Sequence, residues 1–161
     1  MVTDFTITSL EATRDECMIT ILGVQNRPGV AAKLFSALTE ADIPLNTIIQ
    51  NSPDAGSTNI TFTVAREKFD AALEICREHL TEVAEGLIPE ERIGRVTATG
   101  RNFDESSGVA ASFFEALGKA NINILAINAN ALALSVFIRE DQLDLAARTL
   151  RRRFGIADEP V

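Results

Sequence analysis

Gly29-Val30-Ala31-Ala32-Lys33-Leu34-Phe35-Ser36-Ala37-Leu38-Thr39-Glu40-Ala41-Asp42-Ile43 is written twice in this chain. It returns, with changes, as Gly108-Val109-Ala110-Ala111-Ser112-Phe113-Phe114-Glu115-Ala116-Leu117-Gly118-Lys119-Ala120-Asn121-Ile122. Val30, Leu34, Leu38 and Ala41 in the first copy, and Val109, Phe113, Leu117 and Ala120 in the second, fall at helical spacing. Each set predicts a helix with one buried stripe. Farther along, Phe69, Ala72, Leu73, Cys76 and Leu80 are matched by Leu143, Ala146, Ala147, Leu150 and Phe154. The chain therefore reads as a duplicated unit. The seam between two such units is a natural place for a small ligand.

The strands follow from alternation. Asp4–Leu10 reads as a strand, Thr13-Arg14-Asp15-Glu16 as a polar turn and Cys17–Val24 as a second strand. After the helix Gly29–Ala41, a strand is predicted over Ile43–Gln50. A turn rich in Pro, Gly and Ser (Ser52–Ser57) then leads to a strand carrying Ile60, Phe62 and Val64. A helix over Glu67–Val83 and a short closing strand near Leu87-Ile88 end the first unit, with Pro89-Glu90-Glu91 as the link. The second unit repeats the order: strand Arg95–Thr99, loop Gly100–Ser107, a helix, strand Ile122–Ile127, a tight turn Asn128–Ala131, strand Leu132–Ile138 and helix Glu140–Arg153. It lacks a closing strand after Phe154-Gly155-Ile156, and Asp4–Leu10 has no place in the first unit. A bare sheet edge invites aggregation. The amino-terminal strand is therefore expected to complete the second unit. The fold class is α+β: two ferredoxin-like βαββαβ units, with antiparallel sheets and helices on one face. Residues 15–91 are nested inside a unit made of 1–14 and 92–161.

The chain has 161 residues, 46% of them hydrophobic, and a net charge of -8. Units of this size are marginal alone, so mutual packing or dimerisation is expected. The acidic balance disfavours nucleic acid and anionic membrane as partners. With no Trp and no Tyr, stacking of bases would fall to Phe alone. Met1-Val2-Thr3-Asp4 does not read as a signal peptide, and no run reads as long enough to span a bilayer. Cys17 and Cys76 sit in apolar patterns and read as reduced core residues of a cytoplasmic protein.

Reactive clusters are absent from the pattern. His79 follows Cys76 on one helix face, but no second Cys/His pair exists to complete a metal site. No phosphate loop, dinucleotide fingerprint or nucleophile elbow occurs, so neither a cofactor nor catalysis is expected. Asp104 and Glu105 read as loop acids before a helix start, and Arg148, Arg151, Arg152 and Arg153 as cations near a helix end. Two loops, Gly23–Gly29 and Gly100–Gly108, each feed a helix amino terminus, where free N–H groups suit a carboxylate. Gly29 and Ala31 leave room for a ligand, and Asn26, Gln50 and Asn123 could fix an α-amino group. The same residues serve equally as a plain helix start, and spacing does not decide between the two readings.

The stretches Ile21–Ala32, Ile48–Asn51 and Thr58–Val64, with Gly108–Ala110, Asn121–Ile124, Ser135–Ile138 and Ala146–Leu150, resemble the ACT-domain region of aspartokinases. The resemblance covers residues 3 to 154. It implies tandem ACT units, one nested in the other, that form the regulatory part of the kinase phosphorylating aspartate. They occur as the carboxy-terminal half of the catalytic chain or as a separate small subunit. It also implies a homodimer through the ACT units, with threonine or lysine bound at the seam as a feedback effector. Carried over by position, Asn26, Gly29, Ala31 and Gln50 match first-unit effector contacts, and Val109, Ala110, Asn123 and Ile124 match the facing ones. Three departures stand out. Asn26 replaces the family's usual aspartate and supplies no charge. Phe103-Asp104-Glu105-Ser106-Ser107-Gly108 replaces Met-basic-Ser-His-Pro-Gly. Asn128-Ala129-Asn130-Ala131 replaces Ser-Thr-Ser-Glu, which points to threonine over lysine. A free-standing amino-acid sensor acting on another partner is the alternative. An RNA-recognition module would need aromatic and basic residues on strands that here carry Thr, Asn, Leu and Ile.

Overall fold

The structure, a computed structural model, describes residues 6–51, 56–80, 83–101 and 107–157. In chain order the elements are β1 (Thr6–Thr13), β2 (Glu16–Gln25), α1 (Val30–Glu40), β3 (Thr47–Asn51), β4 (Ser57–Ala65), α2 (Phe69–Leu80), β5 (Gly86–Glu90), β6 (Ile93–Arg101), α3 (Ser107–Lys119), β7 (Ile124–Ala129), β8 (Ala133–Arg139) and α4 (Leu143–Phe154). One-turn 3-10 helices, Arg66–Lys68 and Glu140–Gln142, open α2 and α4. The chain divides into two compact units. One holds residues 15–91 and the other the flanking segments up to Arg14 and from Arg92.

In the inner unit the antiparallel sheet has the order β3-β4-β2-β5. Cys17, Ile19 and Ile21 of β2 and Ile60, Phe62 and Val64 of β4 alternate onto one face. There they bury against Leu34 and Leu38 of α1 and Phe69, Ala72, Leu73, Cys76 and Leu80 of α2. The outer unit has the order β1-β6-β8-β7. Leu10, Val96, Ala98, Leu134, Val136 and Ile138 meet Phe113 and Leu117 of α3 and Leu143, Ala146 and Leu150 of α4. β1 lies antiparallel to β6, with Leu10 opposite Ala98, in the place that β5 holds beside β2. The amino-terminal strand thus supplies the edge that the outer unit lacks. Arg14 at its end is ion-paired with Asp144 in the first turn of α4.

Several boundaries differ from the sequence reading. Ala41 and Ala120 lie just beyond α1 and α3. Asp42 (φ 55°) and Asn121 (φ 57°) turn left-handed and end both helices. Asp42 N–H then donates to Thr39 O and Ile43 N–H to Leu38 O; Asn121 N–H donates to Gly118 O and Ile122 N–H to Leu117 O, each at 3.0 Å. This is the same Schellman ending twice, and it makes Ile43 and Ile122 buried plugs rather than strand starts. Pro89 and Glu90 are not linker: they belong to β5, where Pro89 is tolerated because the strand is an edge. Val83, expected at the end of α2, lies outside the described span Phe69–Leu80. Asn128 and Ala129 belong to β7, so the turn begins at Asn130. Leu132, expected in a strand, lies in that turn and is exposed. Phe5, the tip Ser52–Ala55 and the loop residues Asn102–Ser106, including Asp104 and Glu105, lie outside the described residues.

The glycines give a paired test. A methyl at Gly94 would sit 2.9 Å from Leu143 Cδ1, and Leu143 is buried and cannot give way; at Gly118, in α3, it would meet open space. Gly94→Ala is expected to lower unfolding free energy by about 1–3 kcal/mol through overpacking. Gly118→Ala should raise it by about 0.5–1 kcal/mol through helix propensity. Urea titrations followed by circular dichroism read both.

Candidate functional site

At the end of β2 the chain leaves the sheet and starts α1. A bulge lets Leu22 and Gly23 face Asn59. Gly23 adopts φ 60° there, and its N–H donates to Asn59 Oδ1 at 2.9 Å. Beyond it, Gln25 N–H donates to Val83 O and Asn26 N–H to Gly56 O, so the loop is tied to both α2's exit and the start of β4. Gly29 is the N-cap of α1 with φ 91° and no side-chain cap, and the first turn carries no acidic residue. The helix therefore presents uncompensated positive dipole and bare surface at its start. No atom lies within 4 Å of where a Cβ on Gly29 would be.

The structure gathers four of the eight sequence-predicted residues. Asn26 and Gly29 are exposed and Ala31 is half-buried at the start of α1. Gln50 is exposed near the end of β3; the neighbouring register pairs, Asn51 with Asn59 and Ser57 with Gln25, carry it to the same end of the sheet. A shallow hollow continues from Gly29 along α1 past Ala32, Lys33 and Ser36 to Glu40, with His79 on its far wall.

The other four residues do not come together within their own unit. Val109 is buried and Ala110 half-buried in the first turn of α3, which follows the far end of β6. Asn123 is exposed, and Ile124 pairs with Ile138, which pairs with Gly94 at the near end of β6. The thirteen residues of α3 separate the two pairs by about 20 Å.

Two further residues lie within the strands predicted over Ile43–Gln50 and Ile122–Ile127. Ile48 on β3 is 50% exposed and Ile127 on β7 is 44% exposed. Ile48 pairs with Phe62 and Ile127 with Val136, which are equivalent positions of the two sheets. Laying the repeats side by side would have shown this pair. Phe35 of α1 and Phe114 of α3 are also equivalent and only partly buried.

The remaining groups are structural. Among the described residues no cluster of three His, Cys, Asp or Glu could hold a metal. His79 is exposed, with Nδ1 3.0 Å from Ile75 O. Asn130 Oδ1 accepts from Leu132 N–H at 2.9 Å and Ala133 N–H at 3.0 Å, so this departure from the family pattern shapes the turn. Arg153 donates to Ser112 Oγ at 3.0 Å. Glu115, exposed, is held below the usual carboxylate range by a hydrogen bond from Lys119 and its charge. No described helix is long and apolar enough to cross a membrane.

The ACT domain model matches residues 19–80 and 96–154, one segment in each unit. The chain belongs to the ACT domain family. It is 36% identical over 156 residues to the aspartokinase of Corynebacterium glutamicum, covering 95% of this chain and 37% of that protein. It is 37% identical over 151 residues to the aspartate kinase of Pseudomonas fluorescens, covering 93% and 37%. The ACT chain therefore spans well under half the length of these relatives. Among solved structures, the ligand-free regulatory subunit of aspartate kinase from Thermus thermophilus superposes with a TM-score of 0.84. That match has 29% identity and covers 92% of this chain and 99% of that one. Aspartate kinase from Synechocystis gives 0.88 at 27% identity, covering 96% and 28%. The ACT chain corresponds to the regulatory region of aspartokinases.

The buried thiols give a pH test. Burial pushes Cys76 up from 9.0 to about 12. A thiol whose folded pKa is raised adds stability below its unfolded pKa, and that stability is lost as pH climbs toward the folded value. Stability should fall between pH 9 and about 12, and Cys76→Ala should flatten that fall in urea titrations run across the range. At neutral pH an aromatic disulfide reagent should label Cys76 only after denaturant is added.

Proposed function

We propose that this ACT chain is the amino-acid sensor of an aspartate kinase. It binds threonine in preference to lysine where two copies meet and gives feedback control of aspartate-family amino-acid synthesis in the cytoplasm. The observation that carries the reading is the matched pair of exposed isoleucines on β3 and β7. Each of these strands pairs on one side only, and an open apolar edge calls for a strand to cover it. The opposite edge of the inner sheet carries Pro89 and is blunted. An antiparallel meeting of β3 in one copy with β7 in another that sets Ile48 against Ile127 brings Gln50 to the Asn123–Leu125 end of β7. Asn123 and Ile124 of one copy then face Asn26, Gly29, Ala31 and Gln50 of the other, while Val109 and Ala110 stay at the far end of α3. The uncapped start of α1 takes the effector carboxylate, and Gln50, Asn123 and Asn26 receive its ammonium and hydroxyl.

The altered segment Asn128–Ala131 favours threonine over lysine, and Asn26 offers the effector's ammonium a neutral rather than a charge-assisted hydrogen bond. Binding at a seam of two copies biases the kinase between two states, with a coupling of about 1–3 kcal/mol. The partner is the kinase catalytic domain or subunit. A free-standing sensor with another partner is the second reading, and co-purification with an amino-acid kinase chain separates the two.

Titration calorimetry on the ACT chain should show threonine binding more tightly than lysine; binding of lysine alone would reverse the assignment. Gln50→Ala should weaken threonine by about tenfold, the worth of one good hydrogen bond to a charged group. At high salt, Ile48→Asp with Ile127→Asp should give a monomeric mass by light scattering and abolish threonine binding. A dimeric mass for that variant would place the seam elsewhere.

A further inference from the structure

The helices that lie away from β3 and β7 carry a second pattern. The repeat sets Ala71, Glu74 and Glu78 of α2 at the positions of Leu145, Arg148 and Arg152 of α4. Spacing of three and seven puts each trio on one helix face, and all six residues are exposed. Leu145 is 42% exposed, one of few large apolar side chains left open. Thus one repeat presents a pair of carboxylates where the other presents a pair of guanidinium groups. Like charges four residues apart destabilise a helix, and both helices carry such a pair. Among the described residues none of the four has an ion-pair partner. Arg77, one position from Glu78 and also exposed, bridges to neither acid. The arginine pair stands out further on a chain of net charge -8.

We infer that α2 of one copy docks against α4 of another, with the acid pair meeting the arginine pair and Leu145 lying one turn beyond Arg148. An antiparallel approach sets Glu74 opposite Arg152 and Glu78 opposite Arg148, and it keeps Asp70 and Asp144, which share a sign, at opposite ends. The contact is separate from the β3 and β7 edges and builds assemblies larger than the seam alone would give. Charge pairs of this kind set orientation and partner choice, and they weaken as salt rises.

Sedimentation velocity at low salt tests this with three samples: wild type, Glu74→Arg with Glu78→Arg, and Arg148→Glu with Arg152→Glu. Each double variant should associate at least about tenfold more weakly than wild type, because every contact now opposes like charges. A one-to-one mixture of the two variants should regain the wild-type distribution, since arginine on α2 of one then meets glutamate on α4 of the other. High salt should erase the difference among all samples. Threonine binding, measured on the same samples, should be unchanged, which separates this contact from the sensing seam. Identical distributions for the three samples at low salt, or a mixture no heavier than its components, would overturn the inference.

Discussion

Apolar contact between a pair of helices and alternate residues of two central strands holds each unit together. Phe62, Ile19 and Ile60 have no exposed surface to speak of in one unit, nor do Phe113, Val136 and Ile138 in the other. Both helices in each unit lie on the same side of their sheet, and the edge strands β3 and β7 receive little cover from them. One consequence is that β3 and β7 keep their outward isoleucines half in water. The core that makes the fold also creates the open edges, and the proposed sensing seam is a product of that same one-sided packing.

Much of this was legible in the sequence, because duplication lets each half check the other. The four apolar sets at helical spacing became α1 to α4, and the alternation of Ile60, Phe62 and Val64 became β4. The missing closing strand of the second unit was a deduction from edges, and β1 fills it. Helix ends were harder. Asp42 and Asn121 take a left-handed turn that few residues tolerate, and nothing in the apolar pattern announces which residue will do so. Pro89 read as a linker because proline interrupts central strands, while an edge strand accepts it.

The site was legible only by halves. Asn26, Gly29, Ala31 and Gln50 share one end of a sheet because β2, β3 and β4 align there. Asn123 and Ile124 lie a helix length from Val109 and Ala110, and no spacing rule within one unit could join them. A binding place built from two copies leaves only partial marks in a single sequence. Ile48 shows the same problem: by alternation it sits on the core face, and only its position on an outer strand leaves it in solvent.

The pairing of Thr13 with Arg95 has a consequence for the order in which the chain acquires structure. The inner unit is contiguous and can close as soon as it has been synthesised. β1 must wait unpaired while the whole inner unit forms, because its neighbour β6 lies beyond that unit. Contacts of such long sequence separation are slow to find. A folded insert shortens the distance its two ends must search, since β2 and β5 lie side by side and hold the departure and return points of the chain together. The inner unit thus acts as a template for the outer one, and damage to it should be felt first as a delay in the maturation of its neighbour.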